Sequence, residues 1–131
     1  MDLWQQFETN ERAEVEGVWV PLSTTARLRI ARIGNPRHSA ALKRIAAPHI
    51  RPGMRMSDID EATFQAVTRE ALAEAILVGW EGITRGGEPV PYSKEAALQA
   101  LQMKDFFELV LTAAGTIEHF RAARIAELEK N

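Results

Sequence analysis

Hydrophobic and polar positions begin to alternate after the first turn-rich stretch of the chain. In "RLRIARI", Arg27 and Arg29 fall on one side and Leu28 and Ile30 on the other, the period-two pattern of a half-buried strand. "VWVPL" before it is rich in β-branched and aromatic residues, and "STTA" is a short connection. A β-hairpin is therefore predicted over about 17–33. Pro21 has no N–H to give to a ladder, so the first strand sits at an edge or ends there. A two-stranded hairpin is marginal by itself and requires a helix beneath it.

The period then changes from two to between three and four. Asn35-Pro36 supplies an N-cap and a first helical residue, opening a helix over about 36–47 that presents Ala41, Leu42 and Ile45. Ser57-Asp58-Ile59-Asp60 resembles a capping box with Asp in place of Glu. The helix it opens is expected over about 58–78, with Phe64, Val67, Ala71, Ala75 and Val78 in one stripe and Gly79 as its left-handed terminus. "AILV" is apolar nearly all round, so that end should be the most buried. Ser93 caps a short helix over about 94–102. A break near Met103 keeps Asp105 off the buried face and lets it help cap a last helix over about 105–125. Phe106, Leu109, Val110, Ala113, Ile117 and Phe120 share one side of that helix. Burial should end near Phe120, after which "RAARIAELEKN" projects or frays. The pattern as a whole predicts a mainly α-helical α+β fold, an N-terminal hairpin packed on a bundle of about four helices.

Residues 1–16 form an acidic segment ahead of a single domain over 17–131. Leu3, Trp4 and Phe7 lie at i, i+1 and i+4, which suits one helical turn docked on the body or a segment that waits for a partner. Length and composition agree with one soluble domain: 131 residues, 46% hydrophobic and 26% charged. There is no cysteine, which removes disulfides, thiolate nucleophiles and cysteine zinc sites. No apolar run has membrane-spanning length, and Met1–Glu16 is unlike a signal peptide, so the chain is expected to be soluble and unexported.

Charge is uneven. Eight basic residues and no acid lie between Gly17 and Ser57, and the other eight basics face all eighteen acids, so +8 there offsets −10 elsewhere. Arg27, Arg29 and Arg32 on the hairpin, with Arg37, Lys43 and Arg44 beyond, could track a phosphate backbone. The low pI of about 5.9 and the lack of a recognition-helix motif argue against it, as does the expected absence of aromatic residues from the positive strand face. A solvated face, or pairing with acidic helices of the same chain, is favoured; a small nucleic-acid-binding protein using residues 27–55 is the alternative reading.

The stretch "GWEGITRGGEPVPYS" concentrates Gly79, Gly82, Gly86, Gly87, Pro89 and Pro91. It is no P-loop, because Gly82 and Gly87 are followed by Glu88 where lysine is needed. Nor is a strand expected ahead of it to feed a dinucleotide-binding unit. Turns that bury Trp80 and Ile83 between helices explain it better. His38, His49 and His119 have no metal-ligand spacing, and His119 reads as a surface residue. Asp58 and Asp60 suit a helix N-terminus. No nucleophile elbow or spaced acid–base pair is present, so no enzymatic activity, cofactor or metal is expected. An interaction protein fits better, through the hairpin edge, a groove between helices, or the terminal apolar residues.

The order of these features resembles the tail assembly chaperones of long-tailed bacteriophages and prophages. The likeness is carried by Gly79-Trp80-Glu81-Gly82-Ile83, followed by Pro89-Val90-Pro91-Tyr92-Ser93, and is strongest over about residues 64–120. It implies a non-catalytic protein of the bacterial cytoplasm, absent from the finished virion, that keeps the tape measure protein soluble while the tail tube forms. It also implies self-association, and a longer frameshifted form that recruits tube subunits, this chain resembling the short form. Trp80, Ile83 and Tyr92 are the expected anchors of the loop. The partner-binding candidates are Arg27, Arg29 and Arg32 on the hairpin, with Leu3, Trp4, Phe7, Ile125 and Leu128 at the two ends. Membrane binding is not expected.

Overall fold

The computed structural model of the protein describes residues 1–130, apart from the side chains of Ile117, Ala122, Ala123, Ala126, Glu127 and Lys130. Two short helices, α1 (Leu3–Phe7) and α2 (Glu11–Glu16), precede strands β1 (Val18–Pro21) and β2 (Arg27–Ile30). Helices α3 (Pro36–Ala46) and α4 (Glu61–Ala75) follow, then strand β3 (Leu77–Glu81) and a small hairpin of β4 (Thr84–Arg85) and β5 (Glu88–Pro89). Helices α5 (Lys94–Ala100), α6 (Lys104–Ala114) and α7 (Ile117–Lys130) close the chain. The mainly helical α+β class is as the pattern requires.

The hairpin forms in the register that alternation dictates, with Val18 opposite Ile30 and Val20 opposite Leu28. Pro21 is the last residue of β1, which is an edge strand of a three-stranded antiparallel sheet ordered β1-β2-β3. The third strand corrects the sequence reading. The helix expected over 58–78 ends at Ala75, and Leu77–Glu81 pairs with β2 instead. The ladder slips between Arg29 and Ile30, where Arg29 faces Gly79 and Ile30 faces Leu77. Val78 is the extra residue. Leu77 and Trp80 are three apart and would point to opposite faces of a regular strand; the bulge turns both into the core.

Two apolar clusters result. Leu28, Ile30, Leu72, Ile76, Leu77, Trp80, Leu101 and Val110 lie in the larger one, between the sheet and the ends of α4, α5 and α6. Full burial of such a side chain contributes about 1.5–3 kcal/mol. Ala41, Ile45, Val67, Ala71 and Ala75 form the smaller one, where α3 lies on α4. Phe64 departs from the expected stripe and is 49% exposed. The 15-residue α4 is longer than the 11-residue α3, and its buried stripe begins only at Val67.

Helix ends follow local chemistry. Asn35 Oδ1 accepts from the N–H groups of Arg37 and His38, and Ser93 accepts from Ala96. Asp60, rather than Ser57, caps α4 by accepting from Thr63, while Asp58 accepts from the N–H of Arg55 in a 3₁₀ turn. Asp105 does not cap α6; Met103 holds that position without a side-chain bond, and Asp105 sits in the first turn, where a carboxylate favours the helix dipole. The single helix expected over 105–125 is two, broken at Gly115-Thr116, where glycine is a poor helix former. The second of them runs on to Lys130.

Gly82 is the tightest backbone site. Its φ is +75°, and an added Cβ would lie 1.9 Å from the Thr25 carbonyl oxygen of the β1–β2 turn. Gly87, at φ +83°, meets nothing within 4 Å. Urea unfolding should separate them: Gly87→Ala is expected to cost about 1–2 kcal/mol from its backbone conformation alone. Gly82→Ala should cost about 3 kcal/mol or more, because the strand end must also move off the turn. Equal losses would mean that Gly82 is free to leave Thr25.

Candidate functional site

The N-terminal segment begins with a helix that has no buried residue. Asp2 caps α1 by accepting from the N–H of Gln5 at 3.0 Å, so Leu3, Trp4 and Phe7 project together. They are 53%, 70% and 58% exposed and, with Glu8, border a shallow apolar depression of about 270 Å³. Two contacts hold this helix against the far end of the chain. Glu8 forms an ion pair with Arg124, and the Arg121 guanidinium lies 4.9 Å above the Phe7 ring. Exposed pairs of this kind contribute about 1 kcal/mol or less each. On α7, Arg121, Ile125 and Leu128 follow at i, i+4 and i+7, one helical face, and Ile125 and Leu128 are 55% and 58% exposed. The fold thus brings the two ends of the chain together at Phe7–Arg121 and Glu8–Arg124, while Ile125 and Leu128 do not border the α1 depression. Arg27, Arg29 and Arg32 are not part of it.

Those arginines lie on and beside the outer face of the sheet. Arg27 Nε donates to Glu81 at 2.8 Å, and that bond holds the Glu81 carboxyl below its ordinary range. Arg32 pairs with Glu14 of α2 at 2.7 Å, and Arg44 with Glu74 of α4. Among the described residues, acids from outside the acid-free segment therefore answer three of its eight cations. Trp19 corrects the expectation that no aromatic residue shares this face. It sits opposite Arg29 in the register, with the Arg27 guanidinium 3.9 Å and that of Arg29 5.8 Å from its ring centre.

The glycine-proline loop is a hairpin and a clamp. Gly86 and Gly87, at φ +58° and +83°, form the two-residue connection of β4 and β5, the backbone that a tight hairpin turn requires. The Trp80 indole N–H donates to the Val90 carbonyl at 2.8 Å, and the Tyr92 hydroxyl donates to the Leu77 carbonyl at 2.7 Å. The two rings meet edge to face at 5.4 Å, and burial pushes the Tyr92 phenol up, keeping it a donor. Ile83 packs against the larger core. A strand does precede this loop, against expectation. It runs antiparallel and leads to a hairpin rather than a helix, so it does not build a dinucleotide-binding unit.

Two further concavities were not foreseen. A polar cleft of about 280 Å³ is bordered by His49, Arg51, Asp60 and Thr63, but Asp60 is engaged in capping, and its hydrogen bonds with Thr63 lower its pKa. The other runs between the hairpin and α6, along Val20, Leu22, Leu28, Leu109 and Ala113. Leu109, expected in the core, is 39% exposed there, and His119 is half-buried at its border rather than a surface residue. Among the described residues no group of three or more His, Asp or Glu stands ready to hold a metal, and no helix is long and apolar enough to cross a membrane.

Residues 33–131 match the model of the YdaY prophage protein family. The chain belongs to that family. The match spans three quarters of the sequence and begins just after β2, so the glycine-proline clamp and the α6 wall of the groove fall within it, while α1 and the hairpin wall of the groove precede it. No curated protein and no solved structure matches this YdaY-family chain.

One buried ionisable group adds a pH dependence. His38 is 5% exposed, and its Nδ1 accepts from the Gly34 N–H at 3.0 Å, a bond that a proton on Nδ1 abolishes. Burial lowers its pKa from 6.5. The unfolded chain then binds more protons than the folded one, so stability rises with pH in that window. The His38 contribution is present above about pH 6.5 and is lost as pH falls toward the folded-state value. Urea midpoints measured between pH 7.5 and 5.5 should drop more steeply for the natural chain than for His38→Gln. Parallel slopes would show that His38 is not the group responsible.

Proposed function

We propose that this YdaY-family protein is a non-catalytic tail assembly chaperone that binds a tape measure protein and keeps it soluble during tail assembly. The carrying observation is the apolar cluster on α1, where Leu3, Trp4 and Phe7 stay exposed around one depression, beside an α7 that leaves Ile125 and Leu128 exposed. Monomeric proteins seldom leave such residues contiguous without a partner to cover them. A client whose long helices expose apolar faces is covered by surface of this kind, not by an enclosed pocket. The prophage family and the GWEGI and PVPYS motifs support the same role. On this reading the protein acts in the bacterial cytoplasm, is absent from the mature particle, self-associates along its client, and has a longer frameshifted form that recruits tube subunits.

Trp19 favours a second reading. An aromatic ring flanked by Arg27 and Arg29 is the combination that binds single-stranded nucleic acid by stacking and charge. Against it, Arg27 already covers that ring and is paired with Glu81.

Co-expression with the tape measure protein of the same prophage region tests the first reading. The client's soluble fraction should rise, and the two proteins should co-elute. Leu3→Ser with Trp4→Ser should abolish the rescue while leaving the circular dichroism and urea midpoint of the chaperone unchanged, because neither side chain is buried. An insoluble client beside a folded chaperone would end the proposal. A salt-sensitive shift of single-stranded DNA, lost in Trp19→Ala, would then install the second reading.

A further inference from the structure

The groove between the hairpin and α6 is a separate surface with a definite chemistry. Val20, Leu28 and Ala113 line its floor, and Leu22 and Leu109, each 39% exposed, stand along it. It encloses about 530 Å³ and adjoins a second depression of about 670 Å³ bordered by Met103, Phe106 and Leu109. Met103 is 60% exposed, so the apolar strip continues along one side of α6. Asp105 and Glu108 share the groove's border, at i and i+3 on that helix, and neither forms an ion pair among the described residues. Lys104, at the far end, is the cation beside them.

We infer that this groove binds an amphipathic α-helix whose apolar stripe is flanked by lysine or arginine. The inference rests on the reading of the chain as a client-binding protein and specifies the segment of client it takes. The argument is complementarity of charge and length. Two free carboxylates three residues apart face one side of a bound helix, where cations at the same spacing reach both. The 11 residues of α6 offer a track of about three turns. The apolar strip supplies anchors along that track in the manner of helix-in-groove recognition. A second copy of the chain does not fit as well. Of its exposed apolar elements, α1 carries Leu3, Trp4 and Phe7 between Asp2 and Glu8, which would set acid against acid, and on α7 the arginines beside Ile125 and Leu128 are engaged, Arg121 by Phe7 and Arg124 by Glu8.

Fluorescence anisotropy with designed peptides tests this on the full chain. The probe is a labelled helical peptide of about four turns, with leucines on one face and lysines beside them, and its twin carries glutamates in place of the lysines. The lysine peptide should bind, and the glutamate peptide should bind at least tenfold more weakly. Leu109→Ser should weaken the lysine peptide about tenfold, and Asp105→Lys with Glu108→Lys should reverse the preference toward the glutamate peptide. These side chains are exposed, and an unchanged circular dichroism spectrum with a cooperative urea transition certifies the fold of each variant. The inference is overturned by no binding, by binding indifferent to Leu109 and to the charge reversal, or by displacement of the lysine peptide with one made of residues 1–16. Peptide binding with this dependence, beside a client that stays insoluble, would uphold the groove and discard the tape measure protein as its partner. Rescue of the client with an inert groove would do the reverse.

Discussion

The pairing of β2 with β3 is the constraint on which the rest of the structure depends. It joins a hairpin that is marginal alone to the helical body, through strand partners far apart in the chain. The slip at Val78 is what makes the junction effective, because it lets Leu77 and Trp80 enter the core together. Trp80 then reaches out to Val90, and Tyr92 reaches back to Leu77, so the loop between them is tied to the strand that launches it. Beyond Ile30 the ladder is extended by Ala31, whose N–H donates to Ile76, and Ile33 donates to Ala114 at the end of α6. The connection into α3 is thereby fixed against both α4 and α6.

Much of this was legible in the sequence where one period ruled. Alternation at Arg27–Ile30 specified the hairpin and its inner face, and Asn35-Pro36 and Ser93 marked helix starts that the structure keeps. The third strand was hidden by its own bulge. Ile76, Leu77 and Trp80 fall at i, i+1 and i+4, which mimics the continuation of α4, and only the pairing with β2 reveals the extended backbone. The division of α6 from α7 was concealed for a related reason: Val110, Ala113 and Phe120 keep helical spacing across Gly115 although the backbone does not. The expected stripe also included Ile117, whose side chain lies outside the described residues.

The surfaces were less legible than the fold. The terminal candidates could be picked out as apolar residues in polar surroundings, but the meeting of α1 and α7 through Arg121 and Arg124 depends on where α7 lies. Trp19 belongs to the arginine face by simple alternation, since it precedes Val20 and follows Val18. The α6 groove was missed because Phe106 and Leu109 were assigned to the core. They share a helical face with Val110, yet the hairpin covers only part of that face and leaves Leu109 at the border.

Both apolar surfaces are bordered by carboxylates, whereas several of the cations of the acid-free segment are engaged in the sheet and on α4. Such an arrangement surrounds exposed carbon with hydrated charge at its margins. The turn at Gly86-Gly87 stands apart from all of this. A side chain added at either glycine meets nothing, and the two short strands beneath it are exposed. The tip is therefore a natural place to splice in a reporter or an epitope, since sequence inserted there enters solvent while Trp80 and Tyr92 keep the base of the loop closed.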